Sequence, residues 1–485
     1  MNLNIRFLFN FIGVVQLLLA AAMLLCVPVS LIYGEHQVAW EMTACSMGLL
    51  LLGLFLWKAL KAPNSNIRKR EGYLIVSVGW LSMSIFGAIP YIVSGAIPSF
   101  ADAVFETVSG FTTTGASILN DIEALPKGIL FWRSLTQWLG GMGIIVLTVA
   151  ILPILGIGGM ELFVAESPGP TSDKLTPRIQ ETAKRLWAAY VLITGVECLL
   201  LWLAGMNFFD AINHSFTTMA TGGFSTKQAS AGFYSPLIQY ILTFFMFVAG
   251  TNFALVYWGL KGKLNKFWKN EEFIWYTRIT LIFTFIYTFV LYLRQGGESL
   301  EKIFRDSIFQ VVSLITTTGF ATADFLLWGN FLIMISLGLM FCGGSAGSTS
   351  GSVKIIRHIV TFKACLLEFK RLLHQRAVIP VLLNKKAIPS GIVANVLVFV
   401  LVYVMIYVVG LLSLSALGID FATAAGSVAT SLGNVGPGLG STGPSANFFH
   451  LSDTAKYILS VLMLIGRLEL FTILIIFTPA FWRSY

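Results

Sequence analysis

One short pattern recurs four times along the chain: Ser109-Gly110-Phe111-Thr112-Thr113-Thr114-Gly115-Ala116, Thr217-Thr218-Met219-Ala220-Thr221-Gly222-Gly223-Phe224, Ser313-Leu314-Ile315-Thr316-Thr317-Thr318-Gly319-Phe320 and Ala429-Thr430-Ser431-Leu432-Gly433-Asn434-Val435-Gly436. Each copy closes a modestly apolar run that follows an acidic residue (Asp102, Asp210, Asp306, Asp420), and each precedes a long apolar stretch. Four equivalent segments can surround one axis. Glycine-hinged, hydroxyl-rich turns placed there bring backbone carbonyls to the axis, where they replace the water around a permeating cation.

The apolar stretches decide the surroundings. A chain with 56% hydrophobic residues, 11% charged residues and a mean hydropathy of +0.80 belongs to the membrane class. The net charge of +9 does not point to nucleic acid, because the basic residues sit in short loops between spans, without aromatic interleaving or a binding motif. The five cysteines (Cys26, Cys45, Cys198, Cys342, Cys365) lie in or beside apolar segments with no CxxC pair, and read as small core residues.

Ten stretches are long enough to cross about 30 Å of hydrocarbon: Phe7–Ile32, Val38–Leu60, Tyr73–Val93, Ile129–Leu155, Leu186–Ala204, Leu237–Leu260, Ile274–Leu293, one from Phe331 onward, Ile392–Leu417 and Ala455–Ala480. The first follows Arg6 and is too long for a signal peptide, so it reads as a retained span. Alternate loops hold most of the basic residues. They include Lys58, Lys61, Arg68, Lys69 and Arg70; Lys174, Arg178, Lys184 and Arg185; Lys261, Lys263, Lys266, Lys269 and Arg278; and the set from Lys354 to Lys386. The positive-inside rule then puts both termini in the cytoplasm.

Between paired spans lie Phe100–Thr114, Phe208–Thr221, Phe304–Thr318 and Phe421–Val435, each about 20 Å long if helical and too short to cross. They read as re-entrant half-helices, a form tolerated at membrane depth only inside protein or beside a water-filled cavity. The expected fold is an all-α polytopic membrane protein: four pseudo-symmetric helix, pore half-helix, helix repeats around one pore, after two extra N-terminal helices. The expected divisions are residues 1–70 for the N-terminal pair and its loop, 71–180, 181–270 and 271–388 for repeats one to three, and 389–485 for repeat four.

A half-helix aimed with its partially negative C-terminus at a central cavity favours a cation there. The expected ligands are carbonyls of Thr113, Thr114 and Gly115; Ala220, Thr221 and Gly222; Thr317, Thr318 and Gly319; and Asn434, Val435 and Gly436. The fourth copy departs from the others by Asn434-Val435 and a following Pro437-Gly438, so the pore is expected to be only pseudo-fourfold.

These four turns on repeated helix–pore–helix units resemble the potassium transporter superfamily that includes the TrkH, KtrB and plant HKT proteins, and the two extra N-terminal spans look most like the TrkH type. The resemblance covers the chain from about Tyr73, plus the N-terminal pair. It implies that Gly115, Gly222, Gly319 and Gly436 are the filter glycines, and that the permeant ion is potassium, since the first repeat lacks the serine of sodium-preferring relatives. It further implies a bacterial inner-membrane location, a homodimer, and a cytosolic nucleotide-binding regulatory ring of the TrkA type, for which Lys354–Lys386 offers a contact surface. No covalently bound cofactor and no enzymatic chemistry are implied.

The eighth span is interrupted by Gly343-Gly344-Ser345-Ala346-Gly347-Ser348-Thr349-Ser350-Gly351-Ser352 and resumes as an amphipathic basic segment. Gly343 to Gly347 satisfies GxSxG, but a serine hydrolase needs a strand-to-helix elbow and a nearby His–acid pair. No P-loop is present, since Lys354 lacks the required glycine spacing. Glycines 343, 347 and 351 also fit close helix packing. The family resemblance favours a third reading, an intramembrane gate built from Gly343, Gly344, Ser345, Gly347, Ser348 and Gly351.

Charges inside spans are costly and mark function by default. Arg467, in the middle of the last apolar stretch, is assigned to the gate, against a structural pairing with Glu469. Glu197 fits either a buried polar contact or a proton or ion role. Arg133 and Lys456, near span ends, read as snorkelling to the interface. The histidines (His36, His214, His358, His374, His450) have no ligand spacing, so no metal site is expected beyond the permeant ion. Two rival functions remain: a proton- or sodium-coupled symporter using Glu197 or His214, and an intramembrane hydrolase using Ser345.

Overall fold

The computed structural model describes residues 5–60, 69–143, 179–294, 297–374 and 379–483. Expectations for Lys61, Arg68, Lys174, Arg178 and for residues 144–155 lie outside them. Among the described residues the chain is helical apart from loops and two short ladders, Cys342–Gly343 with Val353–Lys354 and Leu382–Leu383 with Lys386–Ala387.

Among the described residues six helices are long and apolar enough to cross a membrane: Ile5–Ile32, His36–Ala59, Arg70–Val93, Ala183–Leu203, Glu271–Arg294 and Ser390–Ala416. Besides the expected interruption of the eighth stretch, other stretches are bent or change form. Leu237–Leu260 is two helices, Pro236–Ala249 and Phe253–Leu260, bent by 111°, and the last stretch is Asp453–Arg467 and Phe471–Phe477, bent by 108°. Asn330–Met340 stops after 11 residues, and Lys127–Trp138 runs into a π turn at Leu139–Gly143. The second helix of every repeat therefore loses its regular form at one level. Glycines mark where the chain passes too close to a half-helix to carry a side chain. An added Cβ at Gly140 would run into the Phe111 carbonyl, at Gly250 into the Thr316 side chain (2.7 Å), and at Gly466 into the Leu432 carbonyl. At the last break Glu469 and Leu470 also take left-handed φ values of 56° and 51°.

The half-helices are Phe100–Phe111, Phe208–Met219, Leu300–Ile315 and Phe421–Gly433. Side chains accept from the first-turn amides: Ser99 from Asp102, Asn207 from Asp210, Ser299 from Lys302 and Asp420 from Thr423. These caps satisfy amides that a helix start leaves bare. The third half-helix begins one turn earlier than expected, because the cap is Ser299 and Asp306 lies inside the helix.

The N-terminal helices pack on each other where Gly13 and Gly53 meet backbone to backbone; a Cβ on Gly53 would lie 2.9 Å from the Gly13 carbonyl. They are fastened to repeat one by Gln16 Nε2 donating to Ser82 Oγ at 2.6 Å. Glu35 accepts from the Lys127 and Gly128 amides at 2.6 and 3.0 Å, capping the next helix from a distance. Of the cysteines, Cys26 and Cys45 are buried, whereas Cys365 is exposed on Ile355–Leu373, against the core reading.

Two charges read as snorkelling are buried instead. Lys456 is 3% exposed and pairs with Asp102 at 2.5 Å, tying repeat four to half-helix one. Arg133 is 2% exposed and pairs with Glu106 at 2.6 Å. Each found its carboxylate across a helix interface, where burial without a partner is prohibitive. Lys456→Met should lower stability by roughly 3 kcal/mol by leaving Asp102 unpaired, and Lys456→Met with Asp102→Asn should recover most of it. Thermal unfolding of the purified protein checks both; equal destabilisation by the single and double variants would show that the pair does not act as a unit.

Candidate functional site

The four half-helices end at Phe111, Met219, Ile315 and Gly433, and each is followed by a turn with the same backbone. Thr113, Thr221, Thr317 and Asn434 are left-handed, with φ of 53°, 54°, 55° and 53°, and two residues later so are Gly115, Gly223, Gly319 and Gly436, with φ of 81°, 75°, 81° and 111°. The register in repeat two therefore moves by one from the sequence reading. Gly223, not Gly222, matches Gly115, Gly319 and Gly436, and Gly222 occupies the place of Thr114, Thr318 and Val435. The geometry around these glycines gives the same register. An added Cβ at Gly115 would run into the Gly222 carbonyl, at Gly223 into that of Thr318, at Gly319 into that of Val435, and at Gly436 it would lie 2.9 Å from that of Thr114. Each glycine abuts the carbonyl that precedes the next repeat's glycine, and the fourth returns to the first. The four turns form a closed ring.

The ring is braced from outside by side chains, of which the sequence reading passed over Gln137 and Glu106. Gln137 Nε2 donates to the Gly222 carbonyl at 2.7 Å, and its Oε1 accepts from the Phe224 amide at 3.1 Å. Glu106 accepts from the Ser117 hydroxyl and the Ile118 amide, both at 3.0 Å. Its partner Arg133 donates to the Ser225 carbonyl at 2.9 Å and lies 3.6 Å over the Phe224 ring. One ion pair thus holds the exits of turns one and two. His214, in the place of Glu106, is bonded through Nδ1 to the Asp210 carbonyl and through Nε2 to the Ser225 hydroxyl at 3.0 Å. Asp210 and Asp306 accept from Thr226 at 2.5 Å and from Thr322 at 2.9 Å, as struts from half-helix to turn exit. Asn434 Nδ2 donates to Thr114 Oγ1 at 2.9 Å and to the Met463 carbonyl at 3.0 Å.

Below the ring lies the interruption of the eighth stretch. Its neck is the parallel ladder of Cys342 with Val353 and Gly343 with Lys354, and the chain between them is a loop, not a helix. Gly347 has φ of 73°, so the helix-packing reading of glycines 343, 347 and 351 does not apply. Ser345 N donates to the Gly250 carbonyl at 2.8 Å, Thr349 Oγ1 to that of Met219 at 3.0 Å, and Gly351 N to Thr317 Oγ1 at 2.8 Å. Gly344 passes so near the Gly250 carbonyl (2.5 Å) that a side chain would not fit, and Ser348 Oγ donates to the Ser345 carbonyl at 2.6 Å.

Arg467 completes this layer. Its guanidinium donates to the Thr349 carbonyl at 2.8 Å and to those of Gly140 and Gly141 at 2.5 and 2.7 Å. It joins repeat four to the loop of repeat three and to the π turn of repeat one. Glu469 pairs instead with Lys354 at 3.4 Å and with Arg357, so the alternative of an internal Arg467–Glu469 pairing is corrected. The break after Arg467 turns Glu469 toward the start of Ile355–Leu373, which brings two cations to it.

Comparisons with known proteins agree with this architecture. A family model described as TrkH, cation transport protein, matches residues 41–484. The TrkH potassium uptake proteins of the Trk system of Salmonella typhimurium and of Escherichia coli K12 are each 42% identical over 99% of this chain and all of their own length. The TrkG protein of Escherichia coli K12 is 34% identical over 99% of both chains. The crystal structure of the potassium transporter TrkH from Vibrio parahaemolyticus superposes with a TM-score of 0.89, at 38% identity, covering 99% of this chain and 100% of that one.

The register of repeat two is open to direct test. At Gly222 a Cβ would meet only the flexible end of Gln137, whereas at Gly223 it would meet backbone and force a left-handed alanine. Gly223→Ala should abolish cation flux in proteoliposomes. Gly222→Ala, which displaces the end of Gln137, should be milder. Wild-type flux in Gly223→Ala together with loss of flux in Gly222→Ala would return the required glycine of repeat two to position 222.

Proposed function

The chain belongs to the TrkH family of cation transport proteins, and from that premise we propose that it carries potassium into bacteria across the inner membrane, through one pore per chain. It is a transporter, not an enzyme. The observation that carries the reading is the closed ring in which each left-handed glycine seats the preceding carbonyl of the next repeat. Carbonyls of Thr113, Thr114 and Gly115, of Thr221, Gly222 and Gly223, of Thr317, Thr318 and Gly319, and of Asn434, Val435 and Gly436 supply the filter, with Ala220 just before it. The half-helix C-termini add partial negative charge beneath them. Potassium passes as cargo. The bracing side chains keep the carbonyls at a fixed spacing, which is the condition for one ion to be preferred over another.

The loop of Gly343, Gly344, Ser345, Gly347, Ser348 and Gly351 serves as the gate together with Arg467. An arginine stays protonated at all physiological pH, so its barrier is a fixed one. At an effective dielectric near 20, two unit charges about 6 Å apart repel by roughly 3 kcal/mol, a factor of about 100 in occupancy. Three carbonyls hold the guanidinium where the charge acts. Opening then requires that the loop and Arg467 move together. Both termini face the cytoplasm, and the protein acts as a homodimer. The basic helix Ile355–Leu373, with Phe362 and Phe369 exposed, is the surface for a cytosolic nucleotide-binding ring of the TrkA type.

Two experiments test the reading. Gly115→Ser displaces the Gly222 carbonyl and should lower the potassium-to-sodium permeability ratio measured from reversal potentials; an unchanged ratio in a folded protein would remove turn one from the filter. Arg467→Ala should raise basal potassium flux without any cytosolic partner, and Arg467→Lys, which keeps the charge but loses the planar fork, should raise it less. Wild-type flux in Arg467→Ala would make the arginine a structural clamp only.

A further inference from the structure

Inside one membrane-spanning helix a carboxyl group has no cation beside it among the described residues. Glu197, on Ile179–Leu203, is 0% exposed, and neither carboxyl oxygen accepts a hydrogen bond from any donor among the described residues. It faces Thr218, in the last turn of half-helix two. The Thr218 hydroxyl already donates to the His214 carbonyl at 2.7 Å. Toward Glu197 it therefore has only lone pairs to offer. A carboxylate would set acceptor against acceptor, whereas the O–H of a carboxylic acid is the matching donor.

Among the described residues the packed neighbours supply no countercharge. On its own helix the adjacent Val196 and Cys198 carry no cation. From half-helix two come Asp210, held by Asn207 and Thr226, and His214, both of whose ring nitrogens are bonded elsewhere. Pro236–Ala249, Phe253–Leu260 and the Leu139–Gly143 turn contain no charged residue. An ionised carboxylate in such surroundings costs far more than a protonated one.

We propose that Glu197 is a protonated, neutral positioning residue whose O–H donates to Thr218 Oγ1 and fixes the last turn of half-helix two. That turn carries the Met219 carbonyl, to which Thr349 of the loop is bonded, and leads directly into Thr221 and Gly223. The functional consequence rests on the filter reading above; the protonation state does not, and the two are measured separately. A proton held in this way is structural and is not exchanged as ions pass. Glu197 then couples neither protons nor sodium to potassium.

The test uses the full chain in proteoliposomes. Glu197→Gln keeps a neutral donor, and should keep potassium flux within about twofold of wild type, with the same profile between about pH 6 and 8 and the same response to sodium. Glu197→Ala removes the donor and should lower flux roughly tenfold. The infrared spectrum of the wild type should carry a protonated-carboxyl band that persists at about pH 8.5 and is missing from Glu197→Gln. A tenfold loss of flux in folded Glu197→Gln, a changed pH profile, or a lost carboxylate band in its place overturns the proposal. A sodium response abolished by the same variant overturns it too, in favour of a cation site. If Glu197→Gln does not fold, the wild-type spectrum decides alone, and absence of the persistent band is fatal. Failure of Gly115→Ser to alter selectivity would strike the filter reading and leave the infrared result standing.

Discussion

Carbonyls that are to face an ion cannot also be spent on holding the backbone in place, and the rest of this structure answers that constraint. In a helix or sheet every carbonyl has its amide. On the proposed filter reading, four turns present carbonyls with their positions set from outside. The ring solves this by contact: the space left by a missing Cβ at each glycine seats the carbonyl of the next repeat, so each turn is the wall of its neighbour. A glycine is required at these four points for two reasons at once, the left-handed backbone and the close approach. Loss of one wall disturbs the repeat on either side.

The same economy explains where the charges went. A membrane core gives no water to screen an ion, so charged side chains survive there only as bonded members of a framework. Glu106 and Arg133 link the exits of turns one and two, Lys456 and Asp102 join repeat four to repeat one, and Glu469 gathers Lys354 and Arg357 at the root of the loop. Arg467 differs in kind. Its guanidinium is held by carbonyls of two repeats, that of Thr349 in the loop and those of Gly140 and Gly141 in the π turn.

Much of the fold was legible because its signals are local. Apolar length gave the crossing helices, and the brevity of the runs before each turn gave the half-helices. The breaks at Gly250 and at Leu468–Leu470 were invisible to hydropathy, which counts a bent apolar stretch as readily as a straight one. The register of repeat two was missed because Gly222-Gly223 offers two glycines to a pattern that wants one. A signal was available: Asp102, Asp210 and Asp306 stand at one common distance before Gly115, Gly223 and Gly319. Arg133 and Lys456 were misplaced because their partners lie on other helices, and no window along the chain contains them.

The departures from fourfold symmetry are concentrated where the loop lies. In repeat four the left-handed residue is Asn434, whose amide reaches Thr114 of repeat one and the Met463 carbonyl of its own second helix. A threonine there would be too short to span that seam. Its neighbour Gly433 meets the Met340 carbonyl, and Gly351 of the loop passes 2.5 Å from the Gly433 carbonyl at the point where a Cβ would sit. The third repeat has given up a continuous second helix to make the loop, and the fourth has given up side chains to let it pass. With four identical repeats, any loop beneath the ring would meet three copies of itself. Breaking the symmetry in two adjacent repeats leaves room for one loop under one ring, and the ring is pseudo-fourfold because only one repeat sends a loop beneath it.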